Sequence, residues 1–377
     1  MQEKQNKLSL AIVGIGRVAR KHTQAVKDLK ELYEIKALID NNQSRQVELN
    51  EEFSLGLDES KFYKSLDEFY AQGQSVDVVA IATPSGTHYS LAKLALSHDS
   101  NVLVEKPLTL NLKEAQELVD YADSKGLKIA VGHIYRFFPL VDRIQAEIAS
   151  GKWGKILAAD VVVHWGHDQA YYDQAAWRGS WAQDGGALMN QTVHAVDLMT
   201  WLLDSKIVTA QGQIRQLCHN IEAEDYGAAL FTMDKGFTLR LEGTTNTPPE
   251  QHAAKFYIST EKAEFQAGLK NGKPVFSIKT RDNKELSHKY IRDFIKSLFK
   301  DGFFRSIKAY KNPHTGIYLD LYKAIKEDRA PRASGLDGLL AVESILAIYK
   351  SSLENGDKVK LPLDRDFSLD AMRGFFD

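Results

Sequence analysis

A glycine-rich turn near the start of the chain constrains its fold more than any other feature. The motif Gly14–Ala19 reads GxGxxA, and it stands directly after an apolar segment and before a helical pattern. Gly14 permits a tight turn, Gly16 has no side chain to block a pyrophosphate, and Ala19 lets the helix pack closely on the strand. The N-terminus of that helix offers unpaired N–H groups to phosphates. The motif therefore predicts the first strand, turn and helix of a dinucleotide-binding domain.

One acidic residue indicates which dinucleotide this turn receives. Asp40 ends the second strand-like segment, where a carboxylate can accept hydrogen bonds from the adenosine ribose and repel a 2′-phosphate. Arg45 complicates this interpretation, because its guanidinium can turn toward a phosphate. The sequence thus favours NAD over NADP. The residues assigned to the cofactor on this basis are Gly14, Ile15, Gly16, Arg17, Val18 and Asp40.

The first third of the chain alternates strand-like and helix-like segments. The strand candidates are short, rich in Val, Ile and Ala, and mostly without period-two alternation, as in strands that are buried on both faces of a parallel sheet. Alternation with helices implies right-handed crossovers and a doubly wound sheet. The strand candidates are Leu8–Ile15, Glu34–Asp40, Asp77–Thr83, Asn101–Glu105 and Lys128–Gly132.

The pattern changes near Tyr135, where long segments of alternating apolar and polar residues begin. In one of them Phe237 and Leu239 alternate with polar residues, which is typical of a sheet with one solvent-facing or partner-facing side. We therefore predict an α/β chain with a Rossmann domain over 1–133 and, over 134–377, an α+β domain with a large, mostly antiparallel open sheet. The predicted elements of the second domain are strands Ile156–His164, Ile207–Leu217, Ala228–Glu242 and Ala254–Thr260 and helices Ala187–Leu203 and Leu339–Leu353.

Composition and charge indicate which partners and which compartment to expect. A length of 377 residues suits two domains, and a formal net charge of -2 gives no reason to expect nucleic acid or a membrane surface as partner. The single cysteine, Cys218, cannot form an intrachain disulfide, which fits a reducing compartment. The apolar stretch at the N-terminus contains glycines and has no cleavage pattern after it, so it is interpreted as a buried strand rather than a signal peptide. We expect a cytoplasmic protein.

Several motifs in fixed order resemble one known family. Asp77–His88 reads DVVAIATPSGTH, Asn101–Pro107 reads NVLVEKP, Trp177–Trp181 reads WRGSW and Gly185–His194 reads GGALMNQTVH. Together with the glycine motif they resemble the Gfo/Idh/MocA family, named for glucose–fructose oxidoreductase, inositol dehydrogenase and rhizopine catabolism, over nearly the whole chain. The resemblance implies a cis Lys106–Pro107 bond. It also implies cofactor contacts from Thr83, Pro84, Ser85, His88, Glu105 and Lys106.

Lys106, Asn190 and His194 are the candidate catalytic residues. Lys106 lies at the carboxyl end of a strand, where open α/β sheets bind ligands, and its ammonium can polarise a substrate hydroxyl; the alternative is an ordinary surface lysine. Asn190 and His194 are four residues apart in a helical pattern and share one face. His194 can therefore exchange a hydroxyl proton near neutral pH while Asn190 holds the substrate. In much of the family an aspartate occupies position 190, and asparagine cannot act as a base.

Aromatic and charged residues supply the candidate substrate contacts. An arginine on the substrate side can bind a carboxylate or phosphate through two hydrogen bonds. The aromatic residues suit core packing as well as contact with a substrate. Tyr171–Trp181, followed by Asn190 and Gln191, resembles the branch that includes UDP-N-acetylglucosamine-uronate dehydrogenases. This implies an activated sugar as substrate, the alternative being a free hexose or inositol. The residues assigned to substrate are Tyr135, Arg136, Trp177, Arg178, Asn190, Gln191 and His194.

These motifs predict an NAD-dependent oxidoreductase that transfers a hydride between the nicotinamide and a secondary hydroxyl of a sugar, sugar derivative or polyol. The alternative is a catalytically inactive, dinucleotide-binding regulatory protein of the same fold, and the presence of both Lys106 and His194 favours the enzyme. No metal site is predicted, since His164 and His167 have no zinc-motif spacing. An outward sheet face bearing residues such as Phe237 would be apolar, which predicts a homodimer or homotetramer through that sheet.

Overall fold

The computed structural model of this chain describes residues 7–138, 140–300 and 311–377. The described residues form two compact units, each assembled from separate stretches of the chain. The first unit comprises 7–109, 114–138 and 311–338, and the second comprises 110–113, 140–300 and 339–377.

The first unit is built on a parallel sheet. Its strands are β1 (Leu8–Val13), β2 (Tyr33–Ile39), β3 (Phe62–Tyr63), β4 (Val78–Ile81), β5 (Asn101–Val104) and β6 (Ile129–Val131). The six strands lie in the order β3-β2-β1-β4-β5-β6, which is the doubly wound arrangement. All four residues of β4 are buried, which explains why this strand shows no alternation in the sequence. The predicted parallel sheet is confirmed, and β3 is an additional short edge strand.

Helices connect these strands and continue through the chain. The described α-helices are α1 (Ala19–Asp28), α2 (Gln43–Glu52), α3 (Leu66–Ala71), α4 (His88–Ser97), α5 (Leu112–Lys125), α6 (Val141–Ala149), α7 (Gln169–Asp173), α8 (Val193–Leu202), α9 (Ser287–Lys300), α10 (Pro313–Glu327) and α11 (Gly335–Leu353). Within the described ranges, no helix combines the length and the apolar content that crossing a bilayer requires.

The first unit includes a segment from far along the chain. Helix α10 packs on α1, and its Tyr318 and Leu321 are buried in the same apolar core as Leu10 of β1. The Tyr33 hydroxyl at the start of β2 donates to the carbonyl of Tyr318 at 2.7 Å. The compact units therefore differ from the predicted domains in three places: residues 110–113 belong to the second unit, the first part runs to residue 138 rather than 133, and the chain returns for 311–338.

The second unit is built on an open sheet of eight strands. They are β7 (Ile156–His164), β8 (Ile207–Arg215), β9 (Tyr226–Met233), β10 (Thr238–Thr244), β11 (Ala253–Thr260), β12 (Ala263–Lys270), β13 (Lys273–Thr280) and β14 (Val359–Lys360). Their order is β13-β12-β11-β7-β10-β9-β8-β14, and only β7 and β10 pair in parallel. The predicted large, mostly antiparallel sheet is confirmed. The single predicted strand Ala228–Glu242 is a hairpin of β9 and β10.

The two faces of this sheet differ in polarity. Phe237 and Leu239 are 5% and 0% exposed, so they lie on the covered face. On the other face Arg240 pairs with Asp160 at 2.8 Å, and His164 Nε2 lies 2.9 Å from Glu242. The expectation of an apolar outward face bearing Phe237 or Leu239 is therefore wrong. Their polar neighbours occupy that face, because successive residues of a strand point to opposite sides.

Candidate active site

The glycine motif forms the predicted turn between β1 and α1. Gly14 has a φ of 86°, and a Cβ there would lie 2.6 Å from the Thr83 side chain and 2.8 Å from the carbonyl oxygen of Ala82. Only glycine fits this position. At Gly16, by contrast, a Cβ would meet nothing within 4 Å. Arg17 and Val18 complete the turn before α1, and the open space beside Gly16 fits a pyrophosphate.

Asp40 is held rigidly at the carboxyl end of β2. Its Oδ2 accepts the Ile15 N–H at 2.7 Å, and its Oδ1 accepts the Asn42 N–H at 2.8 Å. The Arg45 guanidinium lies 3.8 Å from the same carboxylate. The carboxyl group is thus fixed beside the turn, at the position where the adenosine ribose of a dinucleotide is bound in such folds.

The loop after β4 carries four of the predicted cofactor contacts. Thr83, Pro84 and Ser85 lead into a single 3₁₀ turn, and His88 begins α4. The two ring nitrogens of His88 lie 2.7 Å from the Pro107 carbonyl oxygen and 3.0 Å from that of Thr83. Burial lowers the pKa of His88 despite these contacts. Its imidazole therefore joins the loops after β4 and β5.

The carboxylate of Glu105 points into the first unit. Its Oε1 lies 3.2 Å from His22 Nε2 and 2.9 Å from His314 Nε2, and its Oε2 accepts the backbone N–H of Lys106 at 3.3 Å. Burial raises the pKa of Glu105, but the hydrogen bonds from both histidines outweigh it and hold that pKa well below its usual range. The Lys106–Pro107 bond is cis, as the resemblance implies. Glu105 thus fixes the backbone that carries Lys106.

His22, Glu105 and His314 also form a group of metal-capable side chains, with ligand atoms within 4.8 Å of one another. The Tyr318 hydroxyl lies 3.0 Å from His22 Nδ1. If it donates there, His22 Nε2 carries the proton that Glu105 accepts, and every contact in the group is an ordinary hydrogen bond. The arrangement therefore needs no ion. Neither histidine was identified from the sequence, because 209 residues separate His314 from Glu105.

The predicted catalytic helix of the second unit begins with a π-helical turn. Leu188–Thr192 forms this turn, and α8 follows, so that Asn190 and Gln191 lie on the π turn and His194 on the first turn of α8. The Thr192 hydroxyl donates to the Ala187 carbonyl five residues earlier at 3.1 Å, which supports the wider turn. Such turns occur frequently at functional sites. The sequence predicted one uninterrupted helix here.

A neutral carboxyl lies beneath the start of this helix. Glu224 is fully buried, and its Oε1 accepts the Leu188 N–H and the Tyr349 hydroxyl, each at 2.8 Å. A Cβ at Gly186 would overlap Glu224, which explains the glycine. Burial raises the pKa of Glu224 to about 8, so this carboxyl is mostly protonated at neutral pH.

Polar side chains cluster around the π turn. Asn190 donates from Nδ2 to the carboxylate of Asp184, and Gln191 Nε2 donates to Asn190 Oδ1 at 2.9 Å. The same Gln191 nitrogen lies 3.3 Å from His167 Nε2. Asp184 was not identified from the sequence, although its place directly before the glycine pair could have indicated it. His167 was considered only as a metal ligand.

Arg178 has the surroundings expected of an anion-binding arginine. Its guanidinium lies 4.0 Å from the ring centroid of Tyr171 and 4.8 Å from that of Trp177. Its Nε is buried without a hydrogen-bond partner among the described residues. The next residue, Gly179, donates its N–H to Asp184 at 3.0 Å, which joins this segment to the polar cluster.

Arg136 and Tyr135 belong to the first unit and have different surroundings. The Arg136 guanidinium is 3.1 Å from Asp337 and donates to the Arg332 carbonyl at 2.6 Å, and the residue is 2% exposed. Tyr135 stacks on Phe138 at 5.3 Å between centroids, and burial raises its pKa to about 12. The geometry of Arg136 argues against its predicted contact with a substrate anion, because its charge is already paired inside the unit.

Two family models match the chain. An oxidoreductase family with an NAD-binding Rossmann fold matches residues 8–133, and a GFO/IDH/MocA C-terminal domain matches residues 141–266. Both agree with the resemblance seen in the sequence, and the predictions of the family and of an NAD-binding Rossmann domain are confirmed.

Individual relatives extend this similarity. UDP-N-acetylglucosamine 3-dehydrogenase of Acidithiobacillus ferrooxidans is 31% identical over 134 residues, which cover 36% of this chain and 39% of that protein. The WlbA dehydrogenase of Bordetella pertussis, solved with NADH and UDP-GlcNAcA, is 27% identical, with a TM-score of 0.84 over 96% of this chain and 99% of that one. WlbA of Chromobactrium violaceum, solved with the same two ligands, is 26% identical, with a TM-score of 0.81 over 97% of this chain and 98% of that one.

Proposed function

This chain belongs to the Gfo/Idh/MocA family of oxidoreductases, and we propose that it is an NAD-dependent dehydrogenase of a nucleotide-activated, acidic sugar. The ligands of the WlbA structures, NADH and UDP-GlcNAcA, support both the cofactor and the substrate class. The named activity of the Acidithiobacillus relative supports a sugar ring hydroxyl as the reacting group. These similarities favour an enzyme over the regulatory protein of the same fold.

Arg178 is the observation that carries the acidic part of this proposal. A guanidinium stacked on Tyr171 and Trp177, with its Nε buried and unpartnered among the described residues, costs free energy unless a ligand accepts its hydrogen bond. A carboxylate or phosphate is the acceptor whose geometry matches a guanidinium. The two aromatic rings offer stacking surfaces to a sugar or base. Arg136, whose guanidinium is paired with Asp337, has no part in this proposal.

Each unit contributes its own groups to the proposed hydride transfer. In the first unit the turn at Gly16 and the carboxylate of Asp40 bind NAD, and Lys106 polarises the substrate hydroxyl. In the second unit His194 exchanges the hydroxyl proton, and Asn190 holds the sugar. The nicotinamide supplies the hydride acceptor, while the protein supplies orientation and electrostatics.

Turnover of a matched set of sugars tests this proposal. The purified protein is given NAD⁺ with UDP-GlcNAcA, UDP-N-acetylglucosamine, free N-acetylglucosamine or inositol, and NADH formation is followed by absorbance. We expect the highest kcat/KM for the acidic nucleotide sugar. Arg178→Ala should raise KM about tenfold or more for that substrate, because a charged hydrogen bond is lost. Arg373→Ala is the control, since Arg373 is exposed and pairs with Asp370, three residues earlier in the chain.

Two outcomes would contradict the substrate assignment. Faster turnover of a free sugar or inositol would exclude a nucleotide sugar. An unchanged KM for UDP-GlcNAcA in Arg178→Ala would show that the guanidinium does not bind the acidic group.

We further propose that the chain forms a homodimer or homotetramer in the cytoplasm, through the face of the second sheet that bears Arg240 and Asp160. This face carries complementary charges such as Arg240 and Asp160, and it exposes half of Leu230. Self-complementary surfaces of this kind suit a two-fold interface. Light scattering at micromolar concentration tests the assembly, and Leu230→Glu should dissociate it. A monomeric wild-type protein would contradict it.

A further inference from the structure

Four polar side chains of the second unit form a continuous chain of hydrogen bonds. It runs from the Asp184 carboxylate to Asn190 Nδ2, from Asn190 Oδ1 to Gln191 Nε2 at 2.9 Å, and from that nitrogen to His167 Nε2 at 3.3 Å. The oxygen and nitrogen of a side-chain amide are similar in size, so rotation of the amide can exchange their positions within such a chain. The groups at its two ends therefore decide its direction.

The carboxylate at one end accepts only. Asp184 is 2% exposed, and its other oxygen accepts the backbone N–H of Gly179 at 3.0 Å. Both oxygens of this carboxyl group accept, one from the Gly179 N–H and the other from Asn190, so the Asn190 side chain faces it with the amide nitrogen. The Asn190 oxygen then points toward Gln191 and requires a donor there. Gln191 must supply its own amide nitrogen.

The imidazole at the other end also accepts. An amide nitrogen can only donate, so His167 Nε2 must be unprotonated and the ring proton must lie on Nδ1. Burial, together with the nearby charges of His252 and Arg178, lowers the pKa of His167 to about 4. The ring is therefore neutral at physiological pH. Acceptors at both ends fix every amide between them in one orientation.

We propose that Asp184 and His167 are positioning residues, which orient Asn190 and Gln191 so that the Gln191 carbonyl oxygen accepts a hydrogen bond from the sugar. Both amide hydrogens of Gln191 are used within the chain, so its oxygen is the group offered to a ligand. The matching ligand group is a donor, either a hydroxyl or an acylamino N–H. This inference rests on the proposed function for the identity of the ligand as a sugar.

Exchanging the carboxylate and the amide tests the direction of the chain. In Asp184→Asn an amide nitrogen faces the nitrogen of Asn190, and in Asn190→Asp two carboxylates face each other. Each single variant should lower kcat/KM about tenfold or more. Asn190→Asp leaves buried acceptors without donors, whereas Asp184→Asn is relieved only by reversal of the amides, which turns the Gln191 carbonyl oxygen away from the sugar. The double variant Asp184→Asn/Asn190→Asp restores a donor and an acceptor at every bond, so it should turn over faster than either single variant. The proposal would be overturned if kcat/KM of the double variant did not exceed that of both single variants. It would also be overturned if Asp184→Asn kept the wild-type kcat/KM.

The tautomer of His167 gives a second measurement that needs no turnover. We expect ¹⁵N NMR of the wild-type protein to show the ring proton on Nδ1. In Asp184→Asn the amides can reverse, the Gln191 oxygen then faces the ring, and the proton should move to Nε2. A wild-type ring protonated on Nε2 would overturn the proposed orientation, whatever the substrate. If the tautomers are as expected but the protein oxidises no sugar, the proposed function is contradicted. The proposed direction of the hydrogen bonds then still holds.

Discussion

Two buried glutamates, one in each unit, have opposite charge states. Glu105 is surrounded by His22, His314 and the Lys106 N–H, and its pKa lies well below the usual range. Glu224 receives hydrogen bonds from the Leu188 N–H and Tyr349, and burial raises its pKa to about 8. Both are desolvated. The comparison shows that the groups which donate hydrogen bonds to a buried carboxyl decide whether it is ionised. Donors that can carry positive charge favour the ionised form.

The two charge states suit the two parts of the proposed reaction. In the first unit an anion accepts the backbone N–H of Lys106 and so fixes the backbone there. In the second unit the carboxyl beneath the π turn is neutral, and Asp184 is the carboxylate that contacts Asn190. A neutral carboxyl therefore supports the π turn of the second unit, whereas an anion supports the Lys106 backbone of the first.

The largest expected effect comes from removing one proposed catalytic group from each unit. Lys106→Ala and His194→Ala should each lower kcat by about 100-fold or more, because general acid–base help is lost. Binding of NADH, measured by fluorescence, should stay nearly unchanged in His194→Ala. Lys125→Ala is the control, since the exposed Lys125 pairs with Asp99 at the surface. Near-normal turnover of His194→Ala would show that the second unit contributes no proton transfer.

A smaller effect is expected on stability when the charged glutamate is neutralised. Glu105→Gln replaces an anion that accepts from two histidines, which should lower the free energy of unfolding by roughly 1.5–3 kcal/mol. Urea unfolding at neutral pH measures this loss. Because the folded-state pKa of Glu105 is depressed, its contribution is present above the ordinary pKa and lost as the pH falls below it. If Glu105→Gln were as stable as the wild type at neutral pH, the charge of Glu105 would not stabilise the first unit.

The smallest effect is expected for the matching change in the second unit. Glu224→Gln replaces a carboxyl that already holds its proton, so near pH 4, where the unfolded glutamate is protonated as well, it should change the unfolding free energy by less than about 1 kcal/mol. An unfolded glutamate ionises from its ordinary pKa of 4.5, whereas the folded one holds its proton to about 8. Wild-type stability should therefore fall across this window, and Glu224→Gln should escape that fall. Parallel melting curves from pH 5 to 9 test this, and equal slopes would contradict it.

Local chemistry made part of this structure predictable. The need for glycine at position 14 and the position of Asp40 beside the turn follow from motifs in which neighbours in sequence are neighbours in space. The parallel sheet followed in the same way from runs of buried residues. The resemblance to a family supplied the cis bond before Pro107, which no local pattern shows.

Contacts between distant side chains could not be predicted in this way. His22 and His314 meet at Glu105 across 83 and 209 residues, and no periodicity marks them. Alternation placed Phe237 and Leu239 on one face of a strand but did not say what covers that face. The π turn depends on a threonine hydroxyl and a glycine fitted against Glu224, which are side-chain details that helical spacing does not reveal.

The return of α10 to the first unit has a consequence for biosynthesis. A ribosome makes the N-terminal part of a chain first, and domains commonly fold as units while synthesis continues. Here Tyr318, Leu321 and His314 complete the core and the Glu105 cluster of the unit that contains the first strand. The nascent first unit therefore remains incomplete until strands β7 to β13 of the second unit have been translated. A chain that stops after β13 would carry every residue of the glycine motif yet leave Glu105 buried with one of its two histidines.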